Sequence, residues 1–289
     1  MSIVYLNGEF LPMERAQVSV MDRGFIFGDG VYEVIPVYGG RLFRLEQHLQ
    51  RLVRSLTEIR LSNPMSGDEW RCCLQEVVQR NGSGDQSVYV QITRGVAPRD
   101  HAFPQDVQPT VYVVSSPLKP LAAEWAEHGV AAVTLPDIRW QRCDIKAITL
   151  LPNILLRQQA IDQGAVEAIL VRDGQVNEAA ASNLFIVKAG ELITPPKGPF
   201  LLPGITRDLV LELAAAHGIA HREAVITPQD LAAAEEVWLT SSTREILPVT
   251  RLDQRWVGDG RPGVLWRRMM GIYQDYKQTV RERGEMPAA

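Results

Sequence analysis

Val31-Tyr32-Glu33-Val34-Ile35-Pro36-Val37-Tyr38, then Gly39-Gly40, then Arg41-Leu42-Phe43, is the stretch that decides the fold. β-Branched and aromatic residues dominate the first run, and the glycine pair after it is a hairpin signal. Leu45, Leu49, Leu52, Val53, Leu56 and Ile59 follow at helical spacing and predict a single apolar stripe. A hairpin that runs straight into an amphipathic helix belongs to a sheet covered by helices, and the rest of the chain continues that pattern.

A second helix is expected after Ser66, through Trp70, Leu74, Val77 and Val78, stopping at Asn81-Gly82. Residues 87–93 and 110–115 read as strands, separated by the long Pro-rich loop Arg94 to Pro104. Pro117-Leu118-Lys119-Pro120 favours an extended linker, predicting domains over residues 1–118 and 119–289. Further on come a strand at 130–135, a helix at 153–162, a hairpin turning at Asp173-Gly174 and a strand at 183–187. A helix at 206–217 stops at Gly218, a strand occupies 236–240, and a helix at 264–280 closes the chain. Strands and helices alternate irregularly with several hairpins. The expected class is α/β with mixed (α+β) sheets in two domains, not a doubly wound parallel sheet.

The chain has 289 residues, 46% of them hydrophobic, so it can bury a substantial core. Thirty basic against 34 acidic residues leave a net charge of −4, which argues against a nucleic-acid partner. No apolar run approaches the ~20 residues that cross a bilayer. Met1 to Tyr5 lacks a basic-then-apolar leader, so a cytoplasmic location is expected. Cys72, Cys73 and Cys143 fit neither a disulfide framework nor a zinc motif, and no metal is expected. Reduced thiols are the simple reading.

Lys146, in Asp144-Ile145-Lys146-Ala147, is the first candidate for chemistry. A lone lysine is ordinarily a solvated charge. Here few other charges lie between Ile138 and Leu156, which places it near the core, where a desolvated amine becomes a nucleophile toward carbonyls. Glu178 precedes Ala179-Ala180-Ala181, small residues that would let a flat group approach the backbone; a charged strand end is the simpler alternative. Leu202-Pro203-Gly204-Ile205-Thr206-Arg207 opens a helix, and the amides of Ile205 and Thr206 could bind a phosphate. Thr240-Ser241-Ser242-Thr243 offers further donors or is merely a polar turn. Arg99 and His101, two apart, fall on one side of a locally extended loop, as a carboxylate trap would require.

These elements gain meaning from their order. Phe27-Gly28-Asp29-Gly30-Val31-Tyr32-Glu33-Val34, His48-Leu49-Gln50-Arg51-Leu52, Asp144-Ile145-Lys146, Asn177-Glu178-Ala179 and Leu202-Pro203-Gly204-Ile205-Thr206-Arg207 run in sequence. The series, from about Tyr5 to about Tyr273, resembles the class IV, fold-type IV aminotransferases that depend on pyridoxal 5'-phosphate. The loop Gly95 to Pro104 is similar to that of the D-amino-acid aminotransferases within the class, while Pro36 and Ala179-Ala180-Ala181 depart from that subfamily.

The resemblance implies the following roles. Lys146, in the second domain with the phosphate site, would hold the cofactor as a Schiff base and shuttle the α-proton. Glu178 would bond the pyridine nitrogen. Arg51, the Ile205 and Thr206 amides, Ser241 and Ser242 would hold the phosphate. Tyr32, Arg99 and His101 would receive the substrate carboxylate, the last two reaching in from the partner subunit of a homodimer. The implied reaction is transamination of D-amino acids such as D-alanine with a 2-oxo acid such as 2-oxoglutarate. A branched-chain L-amino-acid or (R)-amine transaminase, an aminodeoxychorismate lyase, and a binding protein that has lost turnover stay open beside it.

Overall fold

The computed structural model describes residues 2–284. They form two compact units, one holding the chain up to Lys119 with Ile145–Leu150 and the stretch from Val280, the other holding Pro120–Asp144 and Leu151–Thr279.

The first unit is a sheet with helices packed on it. Its strands are β1 (Ile3–Leu6), β2 (Glu9–Pro12), β3 (Gly30–Tyr38), β4 (Arg41–Leu42), β5 (Gln86–Thr93) and β6 (Thr110–Pro117), and its helices α1 (Arg23–Phe27), α2 (Leu45–Glu58) and α3 (Gly67–Arg80). The sheet order is β2-β1-β6-β5-β3-β4, every neighbouring pair antiparallel. The β3–β4 hairpin turns as expected, because Gly39 and Gly40 adopt φ of 58° and 76°, open to glycine without strain. Ser66 and Glu69 close a capping box on α3, satisfying amides that the first helical turn leaves free.

Leu49, Leu52 and Leu56 of α2 and Trp70, Leu74 and Val77 of α3 are buried against Val31, Ile35 and Val90 of the sheet. Each such side chain contributes about 1.5–3 kcal/mol. Val53 does not belong to the stripe, since it is exposed. His48, Arg51 and Ser55 are buried on α2 instead.

Lys146 falls differently from the sequence reading, which placed it in the second domain. The segment 145–150 clusters with the first unit, because its backbone bonds to the start of β3. Tyr32 N–H donates to Lys146 O at 2.9 Å and Ile148 N–H to Gly30 O at 3.1 Å, while Ile145 is buried in the first unit's core.

The second unit contains α4 (Ala123–His128), β7 (Val130–Pro136), α5 (Leu151–Asp162), β8 (Glu167–Arg172), β9 (Gln175–Ala179), β10 (Asn183–Lys188), β11 (Glu191–Thr194), α6 (Ile205–Ala216), β12 (His221–Glu223), α7 (Pro228–Ala232), β13 (Glu236–Ser241), β14 (Glu245–Leu252), β15 (Arg255–Trp256) and α8 (Val264–Arg283), whose last turn clusters with the first unit. The strands run β12-β11-β10-β13-β14-β7-β8-β9, with β15 beside β14. β7–β8, β7–β14 and β11–β12 are parallel and the other pairs antiparallel, which is the mixed sheet expected. Pro152 sits in the first turn of α5, where a missing N–H costs nothing. Cys72 is exposed, and Cys73 and Cys143 are buried free thiols.

Candidate active site

In the first unit, Lys146 is half-buried and its Nζ lies 4.2 Å from the centroid of the Tyr32 ring. Among the described residues its amine forms no ion pair, and Asp144, two residues earlier, is held by Arg142 at 3.0 Å. The cation–π contact desolvates one side of the ammonium and leaves the amine without a carboxylate to neutralise it. Behind it is a fully buried cluster. Glu33 accepts Arg51 Nε on Oε1 and Arg51 Nη2 on Oε2, each at 2.8 Å, and His48 Nδ1 lies 2.8 Å from Oε2. Burial alone would push the Glu33 carboxyl up, but the Arg51 guanidinium and the bonds from Arg51 and His48 outweigh it and hold the group well below the usual carboxylate range. Burial lowers His48 against the pull of Glu33, which favours the neutral ring. Arg51 is thereby fixed in orientation. Neither Glu33 nor His48 stood out in the sequence, where both sit among apolar residues.

Arg99 and His101 are exposed, and the structure brings them together. Arg99 Cζ lies 5.3 Å and the His101 ring 5.4 Å from the centroid of Phe27. Both side chains rest against the Phe27 ring.

In the second unit, Glu178 on β9 is buried. It pairs with the Arg139 guanidinium, and its Oε2 accepts Asn183 Nδ2 at 3.1 Å and Leu202 N–H at 3.0 Å. Burial pushes the carboxyl up to about 7, against the lowering from Arg139 and the Leu202 amide. Arg139 is itself held by Asp137, with Nε 2.9 Å from Oδ1, and stays cationic through Glu178 and Asp137 despite its own burial. A carboxyl poised near neutrality can share a proton with a ring nitrogen. Arg139 and Asn183 carried no signal in the sequence beyond a lone Asp-x-Arg and a strand start.

Asn183 also links Glu178 to the start of α6. Its Nδ2 donates to Leu202 O at 2.7 Å, and a Cβ on Gly204 would stand only 1.9 Å from its Oδ1. Glycine is therefore required there by close approach. α6 begins at Ile205 with no side-chain cap, so the amides of Ile205 and Thr206 have no helical acceptor. Thr240 is paired with Asn183 across β13 and β10, and its buried hydroxyl has no hydrogen-bond partner. Ser241 and Ser242, both partly accessible, follow it. Uncapped amides, hydroxyls and an orphaned buried oxygen form a donor set that suits a phosphate dianion.

A family profile for amino-transferase class IV matches residues 30–252. The chain belongs to the class IV aminotransferases. It is 40% identical over 272 residues to D-alanine aminotransferase of Bacillus licheniformis, covering 94% of this chain and 96% of that one. The crystal structure of Escherichia coli branched-chain amino acid aminotransferase superposes with a TM-score of 0.90 at 30% identity, covering 99% of this chain and 96% of that one. The PLP-bound form of a hypothetical aminotransferase from Mycobacterium tuberculosis gives a TM-score of 0.81 at 26% identity, covering 94% of this chain and 97% of that one. Class IV aminotransferases depend on pyridoxal phosphate, and the residues just described fit that group. The first unit offers an unpaired amine at Lys146, and the second a buried carboxyl at Glu178 and free amides at the start of α6, each a group type that such a cofactor can engage. Among the described residues no helix is long and apolar enough to cross a membrane.

Proposed function

We propose that this aminotransferase acts on D-amino acids such as D-alanine, passing the amino group to a 2-oxo acid such as 2-oxoglutarate. The observation that carries the reading is the paired presentation of Arg99 and His101 on Phe27, an exposed guanidinium and imidazole that can both donate to a carboxylate. The 40% identity to the D-alanine enzyme supports it.

The cofactor supplies the electron sink into which the α-carbon's electrons are drawn when its proton leaves. The chain supplies everything around it. Lys146 would hold the cofactor through its amine and carry the α-proton. Glu178 would share a proton with the pyridine nitrogen, its carboxylate form pairing with the protonated ring. The Ile205 and Thr206 amides, Ser241, Ser242 and Arg51 hold the phosphate, and the Glu33 clamp fixes Arg51. Tyr32, Arg99 and His101 orient the substrate carboxylate. Arg99 and His101 are exposed on their own chain, which supports their serving the pocket of a second subunit in a homodimer.

A branched-chain L-amino-acid substrate is the second reading, supported by the superposed Escherichia coli enzyme. Half-reaction spectra of the cofactor-loaded enzyme separate the two. D-Alanine should bleach the cofactor band and L-alanine and L-leucine should not; a preference for the L-substrates would overturn the D-specific reading.

A further inference from the structure

The loop bearing Arg99 and His101 is held by two arginines that share a single carboxylate oxygen. Arg23, at the start of α1, donates Nε to Asp29 Oδ2 at 2.8 Å. Its Nη1 donates to the carbonyls of Asp100 at 2.5 Å and Ala102 at 3.3 Å, the two residues that bracket His101. Arg94 donates Nε to the same Asp29 oxygen at 2.8 Å, and Nη2 and Nη1 to the carbonyls of Ile59 and Arg60 at 2.7 and 3.2 Å. The face of its guanidinium stacks on Phe103, 3.9 Å from the ring centroid. Both arginine side chains are 4% exposed, yet the residues they hold, from Arg99 to Phe103, are on the surface.

We propose that Asp29, Arg23 and Arg94 are positioning residues for the substrate carboxylate, fixing residues 100–103 so that Arg99 and His101 present their N–H donors together. The proposal rests on the reading that this pair receives the carboxylate. An unheld surface loop pays ordering entropy each time it closes on a ligand, of order 1 kcal/mol per backbone residue. Here that ordering is already in place. One carboxylate cannot neutralise two buried guanidiniums, and four main-chain carbonyls accept further N–H groups from them. Arginine is needed at both places, since the compact ammonium of lysine cannot span a carboxylate and two carbonyls at once. The site joins the Phe27-Gly28-Asp29-Gly30 turn to the Pro-rich loop within one unit, so the same short stretch that starts β3 also sets the trap.

The test uses the cofactor-loaded enzyme and three variants, Arg23→Lys, Arg94→Lys and Phe103→Leu. Steady-state constants are measured with D-alanine and with a chiral amine lacking a carboxylate, and amide hydrogen exchange is followed over residues 98–104. KM for D-alanine should rise roughly tenfold in the two lysine variants and about threefold in Phe103→Leu, with kcat within about twofold. Amine turnover should be unchanged, and exchange over the loop should quicken. Phe103 is on the surface, so that variant folds even where a buried arginine change does not. An equal loss on both substrates, or unchanged KM and exchange, overturns the proposal. Arg99→Ala is measured alongside. A loss confined to D-alanine there, without one in the three variants, overturns the clamp alone; no selective loss in Arg99→Ala overturns the carboxylate reading beneath it.

Discussion

Arg51 lays its Nε and Nη2 against the two carboxylate oxygens of Glu33, 2.8 Å from each. The two side chains are 4% and 0% exposed, so neither charge can be answered by water. A pair of this kind adds little to stability over an apolar pair of the same shape, yet breaking it from one side is costly, because the remaining charge stays buried.

Glu33→Gln should therefore lower the unfolding free energy by about 3–5 kcal/mol, and adding Arg51→Met should recover much of it. The pH sign follows from a carboxyl held below its ordinary value. Its contribution is fully present above that value and is lost only as pH falls through the lowered one, so the deficit should be constant from about pH 5 to 8. Denaturant titration across that range is the check. Cofactor affinity gives a second reading: pyridoxal phosphate should bind more weakly and pyridoxal, which has no phosphate, should not.

Lys146→Ala should fold, retain cofactor through the phosphate donors and lose turnover. The positioned acid–base role alone is typically worth ~10²–10⁴-fold. Near-native turnover with D-alanine in the purified variant would remove Lys146 from the mechanism.

Glu178→Gln tests the acid poised near neutrality. A carboxyl raised from 4.5 to about 7 binds more protons in the folded state, so the cofactor-free protein should lose stability as pH climbs between those values. The loss should reach roughly 3 kcal/mol above pH 7, at about 1.4 kcal/mol per pKa unit. The glutamine variant should lack that slope. With cofactor loaded, its half-reaction should slow more than cofactor binding weakens; equal small losses would mean Glu178 is structural.

Gly204→Ala places a methyl 1.9 Å from Asn183 Oδ1, and Asn183 is the link to Glu178. The crowding should cost about 1–3 kcal/mol. The damage should also reach the cofactor, with a shifted absorption band and weaker phosphate binding. Thermal melts with an unaltered cofactor spectrum would show that Asn183 moves aside without disturbing Glu178.

The hairpin, the helix stripe and the glycine before α6 were legible because each follows from local physics: turn geometry, periodicity and an uncapped helix start. The buried charges were not. A stripe read for apolar residues included Val53, which is exposed, and passed over His48 and Arg51, which are buried, because a single sequence assigns charges to solvent. β14 was missed because Pro248 sits inside it, opposite Trp238, and proline ordinarily marks an edge; it is tolerated here because the pairing with β7 begins only at Val249. Lys146 was found as a residue but assigned to the wrong unit, since main-chain bonds to β3 leave no trace in side-chain pattern.

The return of residues 145–150 to the first unit bears on biosynthesis. Chains emerge from the ribosome amino end first, and domains generally fold as units in that order. Here a contiguous N-terminal piece ending at Lys119 would emerge without Ile145, which is buried in its core, and without the backbone partners of Gly30 and Tyr32. Those arrive only after β7 has been made, and the stretch from Val280 comes later still. The lysine proposed to carry the chemistry thus rides on a segment for which its unit has to wait.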